Sequence, residues 1–182
     1  EANKLNISKI ELPYNLGISK ALNIGLKYAK TEWIARFDSD DICLSDRFYN
    51  LSKIIEKNKN KYDVIGTYIE EFNKTDNCKT LRKVPLTNKE IKRKILFSNP
   101  MNHVSVMFKR SLFDESQDES FYPIIDGFED YALWVKLISL NKKFRNFPIV
   151  TVKVRADENM LDRRGGLKYI YREIRFRIFI MS

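Results

Sequence analysis

The sequence predicts an α/β fold of the Rossmann type, in which a mostly parallel sheet is flanked by helices. The chain has 182 residues, of which 43% are hydrophobic, so it is long enough for one domain with a substantial core. Apolar runs typical of strands alternate with segments of helical periodicity over residues 1–70, which indicates βαβ units. An acidic cluster follows one of these strands, and ligands of such sheets bind beyond the carboxyl ends of strands.

The elements of the N-terminal half are predicted from the spacing of apolar residues. A helix over residues 17–30 is indicated because its apolar side chains recur every three or four positions. Ser45 is placed to cap a second helix, in which Leu51 and Ile55 share one face. Strands are predicted at Ile7–Leu12, Trp33–Phe37 and Val64–Ile69.

The second half of the chain continues the alternation. The polar stretch Glu70–Pro85 indicates a hairpin or an excursion, and Thr87–Glu90 has the form of a capping box that opens a helix. Phe128–Leu140 has few polar positions, so this helix should be largely buried. The remaining predictions are a strand at Val104–Phe108, a loop over 114–127, an extended segment at Phe144–Arg155 and a helical pattern at Leu167–Ile180.

The composition limits the classes of partner. The formal net charge of +9 favours anionic partners such as nucleic acid, acidic lipid or phosphorylated substrates, although scattered lysines can also serve solubility alone. The two cysteines, Cys43 and Cys78, form neither a disulfide framework nor a zinc pattern, which suits a reducing cytoplasm. No apolar run approaches the roughly 20 residues that a membrane-spanning helix needs.

The acidic cluster is the strongest chemical signal. Asp38, Asp40 and Asp41 place three carboxylates within four residues, directly after a predicted strand. Like charges this close repel one another, and a hard cation such as Mg²⁺ or Mn²⁺ would offset that repulsion. The alternative is an acidic turn that caps the following helix.

Several segments together resemble the family 2 glycosyltransferases of the GT-A fold, and in particular the subgroup that builds bacterial exopolysaccharides and capsules. No single segment is decisive, but their order and spacing are specific to that family. The segments are Asn15-Leu16-Gly17, Ala21–Gly25, Ile34–Asp41, Asn99–His103, Glu129–Trp134 and Arg163–Gly166.

The resemblance implies an activity: transfer of a sugar from a nucleotide-sugar, expected to be a UDP-sugar, to a saccharide or lipid-linked acceptor in surface polysaccharide synthesis. Asp38 and Asp40 would hold Mn²⁺ or Mg²⁺, and Asp130 would be the general base of an inverting displacement, with Glu129 in support. The alternative for Asp130 is an ordinary carboxylate at a helix N-terminus.

The resemblance also implies a set of donor-binding residues. Their shared feature is a polar or cationic side chain near the matching motifs. The set is Asp38, Asp40, Arg36, Asn15, His103, Arg163 and Arg164. Two alternatives stay open. His103 can be a hydrogen-bonded core residue, and Arg155, Arg163 and Arg164 can form a solvated basic face rather than a clamp on the diphosphate.

The domain assignment follows from the same resemblance. Residues 1–166 would form a partial GT-A catalytic domain that lacks the N-terminal βαβ portion and its nucleotide-base contacts, so we expect the isolated chain to be inactive. Residues 167–182 would form a basic amphipathic helix that either packs on this domain or lies on an anionic membrane. The expected location is cytoplasmic, with peripheral contact at the inner face of the plasma membrane. The sugar, the linkage and the oligomeric state are left open.

The net charge and the acidic cluster also bear on three other function classes. A basic nucleic-acid-binding module would use the net charge but leaves the acidic cluster unexplained, so no nucleic-acid partner is expected. A metal-dependent phosphoryl-transfer enzyme also uses clustered aspartates, but the chain has no Walker-type glycine loop. The remaining alternative is a non-catalytic nucleotide-binding domain derived from the enzyme fold.

Overall fold

The structure is a computed structural model with one mixed sheet and helices packed against it. The strands of the described residues are β1 Trp33–Ala35, β2 Ile42–Cys43, β3 Val64–Phe72, β4 Lys79–Arg82, β5 Met107–Lys109 and β6 Phe144–Arg155. They form one six-stranded sheet in the order β1-β5-β3-β6-β2, and β4 pairs with the remaining part of β3. The structure describes residues 6–59, 61–72, 79–116, 120–125, 127–156, 171 and 173–178.

The direction of the strands corrects one prediction. Within the described residues, only β3 and β6 pair in parallel, and the pairs β1–β5, β2–β6, β3–β4 and β3–β5 are antiparallel. The predicted mostly parallel sheet is therefore wrong in this detail, while the α/β class with flanking helices holds. Alternating strands and helices in a sequence do not specify on which side of a strand the next one joins, so they leave the pairing direction undetermined.

The helices follow the predicted positions closely. The capping box before the third helix is present, since Glu90 N donates to Thr87 Oγ1 and the Glu90 carboxylate accepts from Thr87 N. The helix predicted at Phe128–Leu140 is buried along most of its length, as its few polar positions predict. The helices are α1 Ile18–Tyr28, α2 Arg47–Lys57, α3 Asn88–Lys94, α4 Ser111–Asp114 and α5 Glu129–Ser139.

The core lies between α5 and the sheet. Leu133 and Trp134 are fully buried on the helix, and Phe108 and Phe144 face them from two strands. Burial of side chains this large removes much apolar surface from water and fixes α5 against the sheet. The N-terminus of α5 is therefore held in one place relative to the strand ends.

Three local predictions are wrong. Ile7–Leu12 is not a strand: it has no strand partner among the described residues, and Ile7 is 82% exposed. The second helix begins one residue later than expected, with Asp46 rather than Ser45 at its N-cap. The strand predicted from Val104 begins only at Met107, because His103–Ser105 forms a short 3-10 helix.

The C-terminal tail is helical over residues 173–178 and packs on the domain. The Phe176 ring is buried, stacks on Phe128 with centroids 4.9 Å apart, and lies edge-on to Tyr131. No helix within the described residues has the length and apolar character needed to cross a bilayer. The predicted boundary at residue 166 and Cys78 lie outside the described residues.

Candidate functional site

The acidic cluster occupies the turn between β1 and β2. Asp38, Asp40 and Asp41 each offer a carboxylate oxygen, and these atoms lie within 4.8 Å of one another. Arg155, at the end of β6, fixes the turn: its backbone N donates to Asp41 Oδ1 at 3.1 Å and its Nε donates to the Asp40 carbonyl at 3.2 Å. The short pairing of β2 with β6 brings Arg155 to this position.

Electrostatics show that the cluster concentrates negative charge. Burial raises the pKa of the Asp41 carboxyl most, and the charges of Asp38 and Asp40 raise it further, against the hydrogen bond from Arg155. Asp41 Oδ2 is buried and has no hydrogen-bond partner among the described residues. An unsatisfied carboxylate oxygen next to two further carboxylates is the arrangement that a bound cation would relieve.

Arg36 supplies a buried positive charge to the site. Its side chain is buried and forms an ion pair with Asp38. Burial raises the pKa values of Glu129 and Asp130, and the Arg36 charge acts against that rise. The fully buried Arg47 guanidinium donates a hydrogen bond to the Arg36 backbone carbonyl at 2.8 Å. The buried Arg36 guanidinium thus interacts with both the acidic cluster and the carboxyls at the start of α5.

Asp130 lies in the first turn of α5 and is half-buried, with 20% of its side chain exposed. Both carboxylate oxygens accept hydrogen bonds: Oδ2 from Asn99 Nδ2 and Oδ1 from Tyr131 N, each at 2.7 Å. Burial raises the pKa of Asp130, while the bonds from Asn99 and Tyr131 lower it. The result is a held, partly accessible carboxylate that is more basic than an exposed aspartate.

Glu129 is buried beside Asp130. Burial raises the pKa of its carboxyl, and the neighbouring Asp130 charge raises it as well. Glu129 Oε2 has no hydrogen-bond partner among the described residues. This oxygen is itself buried, so it is not exposed to a ligand in this structure.

His103 and Tyr122 line the other side of Asp130. His103 Nε2 lies 3.0 Å from the Tyr122 hydroxyl, and His103 Nδ1 lies 4.0 Å from Asp130 Oδ2. Burial, with a contribution from Arg36, lowers the pKa of His103 well below its usual value, so the ring is neutral at neutral pH. Asn23 of α1 holds Tyr122 by two hydrogen bonds to its backbone, at 2.8 and 2.9 Å.

The structure thus brings most of the predicted site residues into one region. Arg36, Asp38, His103, Glu129 and Asp130 are connected by the contacts and charge interactions above. Asn15 is exposed and its Oδ1 accepts from Gly17 N at 2.9 Å, at the start of α1. Arg163 and Arg164 lie outside the described residues.

Three residues of this region were missed as individual site residues. Asp41 was recognised only as a member of the acidic cluster, and Asn99 only as part of a segment that resembles the family, with no signal that it contacts Asp130. Tyr122 carried no signal beyond being an aromatic residue in an acidic loop. Their contacts join segments far apart in sequence, such as Asn23 and Tyr122, which periodicity does not reveal.

Comparison with known proteins identifies the family. The family model described as Glycosyl transferase family 2 matches residues 1–116, which include the acidic cluster. The chain belongs to glycosyl transferase family 2. The predicted resemblance to this family is confirmed.

Curated relatives of this family 2 chain include bacterial glycosyltransferases. The amylovoran biosynthesis glycosyltransferase AmsE of Erwinia amylovora is 35% identical over 95% of this chain and 63% of its own length. An Escherichia coli enzyme named UDP-Gal:alpha-D-GlcNAc-diphosphoundecaprenol beta-1,3-galactosyltransferase is 34% identical over 94% of this chain and 61% of its own length. The chain therefore spans less than two thirds of the length of these relatives.

A solved structure confirms the fold class of the family 2 chain. Residues 1–349 of Staphylococcus aureus TarS, crystallised with UDP-GlcNAc, give a TM-score of 0.63 at 21% identity. The match covers 86% of this chain and 44% of the TarS chain. At this identity the likeness shows the GT-A-like α/β fold and nothing about the ligand.

Proposed function

We propose that the protein is a metal-dependent, inverting glycosyltransferase of surface polysaccharide synthesis. The observation that carries the proposal is the arrangement of three clustered carboxylates and a partly accessible Asp130 around the buried Arg36. The donor would be a UDP-sugar and the acceptor a saccharide or a lipid-linked saccharide. The E. coli relative supports these choices, because its name contains UDP-Gal and a diphosphoundecaprenol-linked sugar.

The acidic cluster fits a divalent metal by its donor chemistry. Carboxylate oxygens are the ligands that Mg²⁺ and Mn²⁺ take, and one or two of them usually suffice, with phosphates completing the site. We assign Asp38 and Asp40 as the ligands, and Asp41, whose Oδ1 is held by Arg155, as a third carboxylate that adds negative charge. A metal bound there would neutralise charge on the leaving diphosphate.

Asp130 would act as the general base. The acceptor hydroxyl oxygen attacks the anomeric carbon, the bond from that carbon to the diphosphate oxygen breaks, and the hydroxyl proton moves to Asp130. A single displacement of this kind inverts the anomeric configuration. The raised pKa of Asp130 suits this task, because a base near the working pH accepts a proton better than an exposed aspartate does. Glu129 would support Asp130 from the adjacent position in the first turn of α5.

The remaining predicted residues would serve the donor. Arg36 can hold Asp38 in place and offer positive charge beside the diphosphate. His103 is a neutral ring next to Asp130, so it would contribute a hydrogen bond rather than a charge. Asn15, Arg163 and Arg164 stay proposed donor-binding residues on the family resemblance alone.

A screen of nucleotide-sugars for thermal stabilisation tests this function in the full-length protein. A ligand present at 100 times its Kd stabilises the native state by about 2.7 kcal/mol, which is a shift of several degrees in Tm. We expect one or more UDP-sugars to raise Tm in the presence of Mn²⁺ and to have no effect after chelation by EDTA. A Tm unmoved by every nucleotide-sugar would contradict the proposal, and stabilisation without sugar transfer would indicate a non-catalytic binding domain.

The tail suggests where the protein works. Tyr171, Ile174 and Ile178 are 51–62% exposed, although Phe176 of the same helix packs on the domain. The Arg175 guanidinium is exposed and lies over the Tyr171 ring, 5.8 Å from its centroid. We propose that this helix is both docked on the domain and in peripheral contact with an anionic membrane, at the cytoplasmic face, through its exposed apolar and basic residues.

Co-sedimentation with liposomes tests the membrane contact. The full-length protein should sediment with vesicles rich in anionic lipid and be released by salt. Changing Arg172, Arg175 and Arg177 to Gln should weaken binding on the order of 100-fold, at about 1 kcal/mol for each cation. Changing Lys20, Lys27 and Lys30 to Gln alters the net charge equally at exposed positions on and just after α1 and should have little effect. Equal losses in both triple variants would show a non-specific charge effect.

A further inference from the structure

The orientation of the Asn99 side chain is fixed by its own backbone. Asn99 precedes Pro100, and a residue before proline is restricted to extended conformations. Asn99 Oδ1 accepts a hydrogen bond from Met101 N, two residues on, at 3.1 Å. Only the oxygen of the amide can accept from an N–H group, so the amide nitrogen must face the other way. It faces Asp130 and donates to Oδ2 at 2.7 Å.

We propose that Asn99 is a positioning residue for Asp130: its amide fixes the rotamer of the carboxylate and offsets the cost of a negative charge held away from water. This inference rests on the proposed role of Asp130 as general base. The geometry supports it on both sides of the amide. The amide oxygen accepts from Met101 N in the turn at Pro100. The amide nitrogen donates to the Asp130 carboxylate at the distance of a strong, charge-assisted hydrogen bond.

The groups around Asp130 determine in which direction its pKa would shift if the Asn99 bond were lost. Burial raises the pKa of Asp130, and the bond from Asn99 is the largest influence that lowers it, followed by Tyr131 N and the Arg36 charge. Glu129 adds a neighbouring carboxyl, His103 is neutral, and burial raises the pKa of the Tyr122 hydroxyl, which keeps it protonated. Loss of the Asn99 donor should therefore raise the pKa of Asp130 further.

The test is Asn99→Asp in the full-length protein. Aspartate keeps an oxygen that can accept from Met101 N, so the turn is preserved, but it replaces the donor to Asp130 with a second carboxyl. Two carboxyls this close share a proton, so the loss of the second proton from the pair takes place at a raised apparent pKa. The acidic limb of the kcat–pH profile should move to higher pH by about one unit or more, with kcat lowered about fivefold or more at the pH where parental Asp130 is half-ionised. The KM for the donor should stay nearly parental.

A second substitution, Asn99→Ser, removes the donor without adding a charge. Serine can still accept from Met101 N but is too short to reach Asp130, so the limb should again move to higher pH. The matched control is Asn102→Ser, because Asn102 Nδ2 donates only to backbone, to the carbonyls of Thr67 and Arg82 at 2.9 and 3.4 Å. This variant should lower Tm and leave the acidic limb in place.

The outcomes separate the inference from the proposed function. An acidic limb at the parental pH in a folded Asn99→Asp or Asn99→Ser protein would overturn the positioning role, while a limb that moves in both would support it. Asp130→Asn is measured alongside. Parental turnover in Asp130→Asn would instead remove Asp130 as the base, and the inference would fall with it. If Asn99→Asp does not fold, Asn99→Ser decides the result.

Discussion

Asp130→Asn should lower kcat about 10²–10⁴-fold, the range for loss of a general base, with the KM for the donor nearly unchanged. Both Asp130 oxygens accept hydrogen bonds in the structure, from Asn99 Nδ2 and Tyr131 N. An asparagine at this position keeps the shape, but its neutral amide is not basic enough to take the proton of the acceptor hydroxyl. The measurement is steady-state sugar transfer by the full-length protein, with Tm recorded to confirm folding.

The matched control for this substitution is Asp114→Asn. Asp114 ends α4, is exposed, and pairs with Arg110 at 3.3 Å, so it contacts none of the site residues named above. Its replacement should leave kcat and KM close to the parental values. Turnover of Asp130→Asn equal to that of Asp114→Asn would exclude Asp130 as the base and make Glu129 the next candidate.

Asp40→Ala should abolish metal-dependent donor binding and leave the fold intact. The Asp40 side chain is exposed, and the turn is held through its carbonyl, which accepts from Arg155 Nε and does not depend on the side chain. Asp38→Ala should be nearly as damaging, but it also leaves the buried Arg36 without its ion-pair partner and should cost stability. Asp40 is therefore the cleaner test of the metal assignment.

Calorimetric titration of UDP into the full-length protein, with and without Mn²⁺, measures this effect. The parent should bind UDP tightly only with Mn²⁺, and Asp40→Ala should bind weakly under both conditions. Asp46→Ala serves as the control, since Asp46 is an exposed carboxylate at the N-cap of α2 whose recorded side-chain bond is to Asn50. UDP and Mn²⁺ affinities of Asp40→Ala that match the parent would show that the metal assignment is wrong.

Local signals in the sequence account for the elements that were predicted well. The capping box at Thr87–Glu90, the buried helix α5 and the long strand β6 each depend on residues close together in the chain. The direction of the strands was not predictable in this way. β5 lies between β1 and β3 in the sheet. This position depends on packing between segments that are distant in sequence, which periodicity does not reveal.

The same distinction between local sequence signals and long-range contacts applies to the site. The carboxylates of the acidic cluster lie close together in sequence, so their residue types indicated a cation site, whereas Glu129 and Asp130 were assigned through the family resemblance. The neutral state of His103 and the bond from Asn99 to Asp130 follow from burial and from contacts across the fold, which one sequence does not display. The tail shows the limit of a helical pattern: its spacing predicted a helix but did not identify Phe176 as the residue that docks it.

The anomeric configuration of the product tests the central claim most directly. The full-length protein would be given the UDP-sugar that stabilises it, Mn²⁺ and a lipid-diphosphate-linked saccharide, and the new linkage would be assigned by NMR. A single displacement with Asp130 as base predicts a linkage of the configuration opposite to that of the donor, formed with Mn²⁺ and not after chelation by EDTA. A product that retains the donor configuration, or that forms equally well in EDTA, would contradict the account.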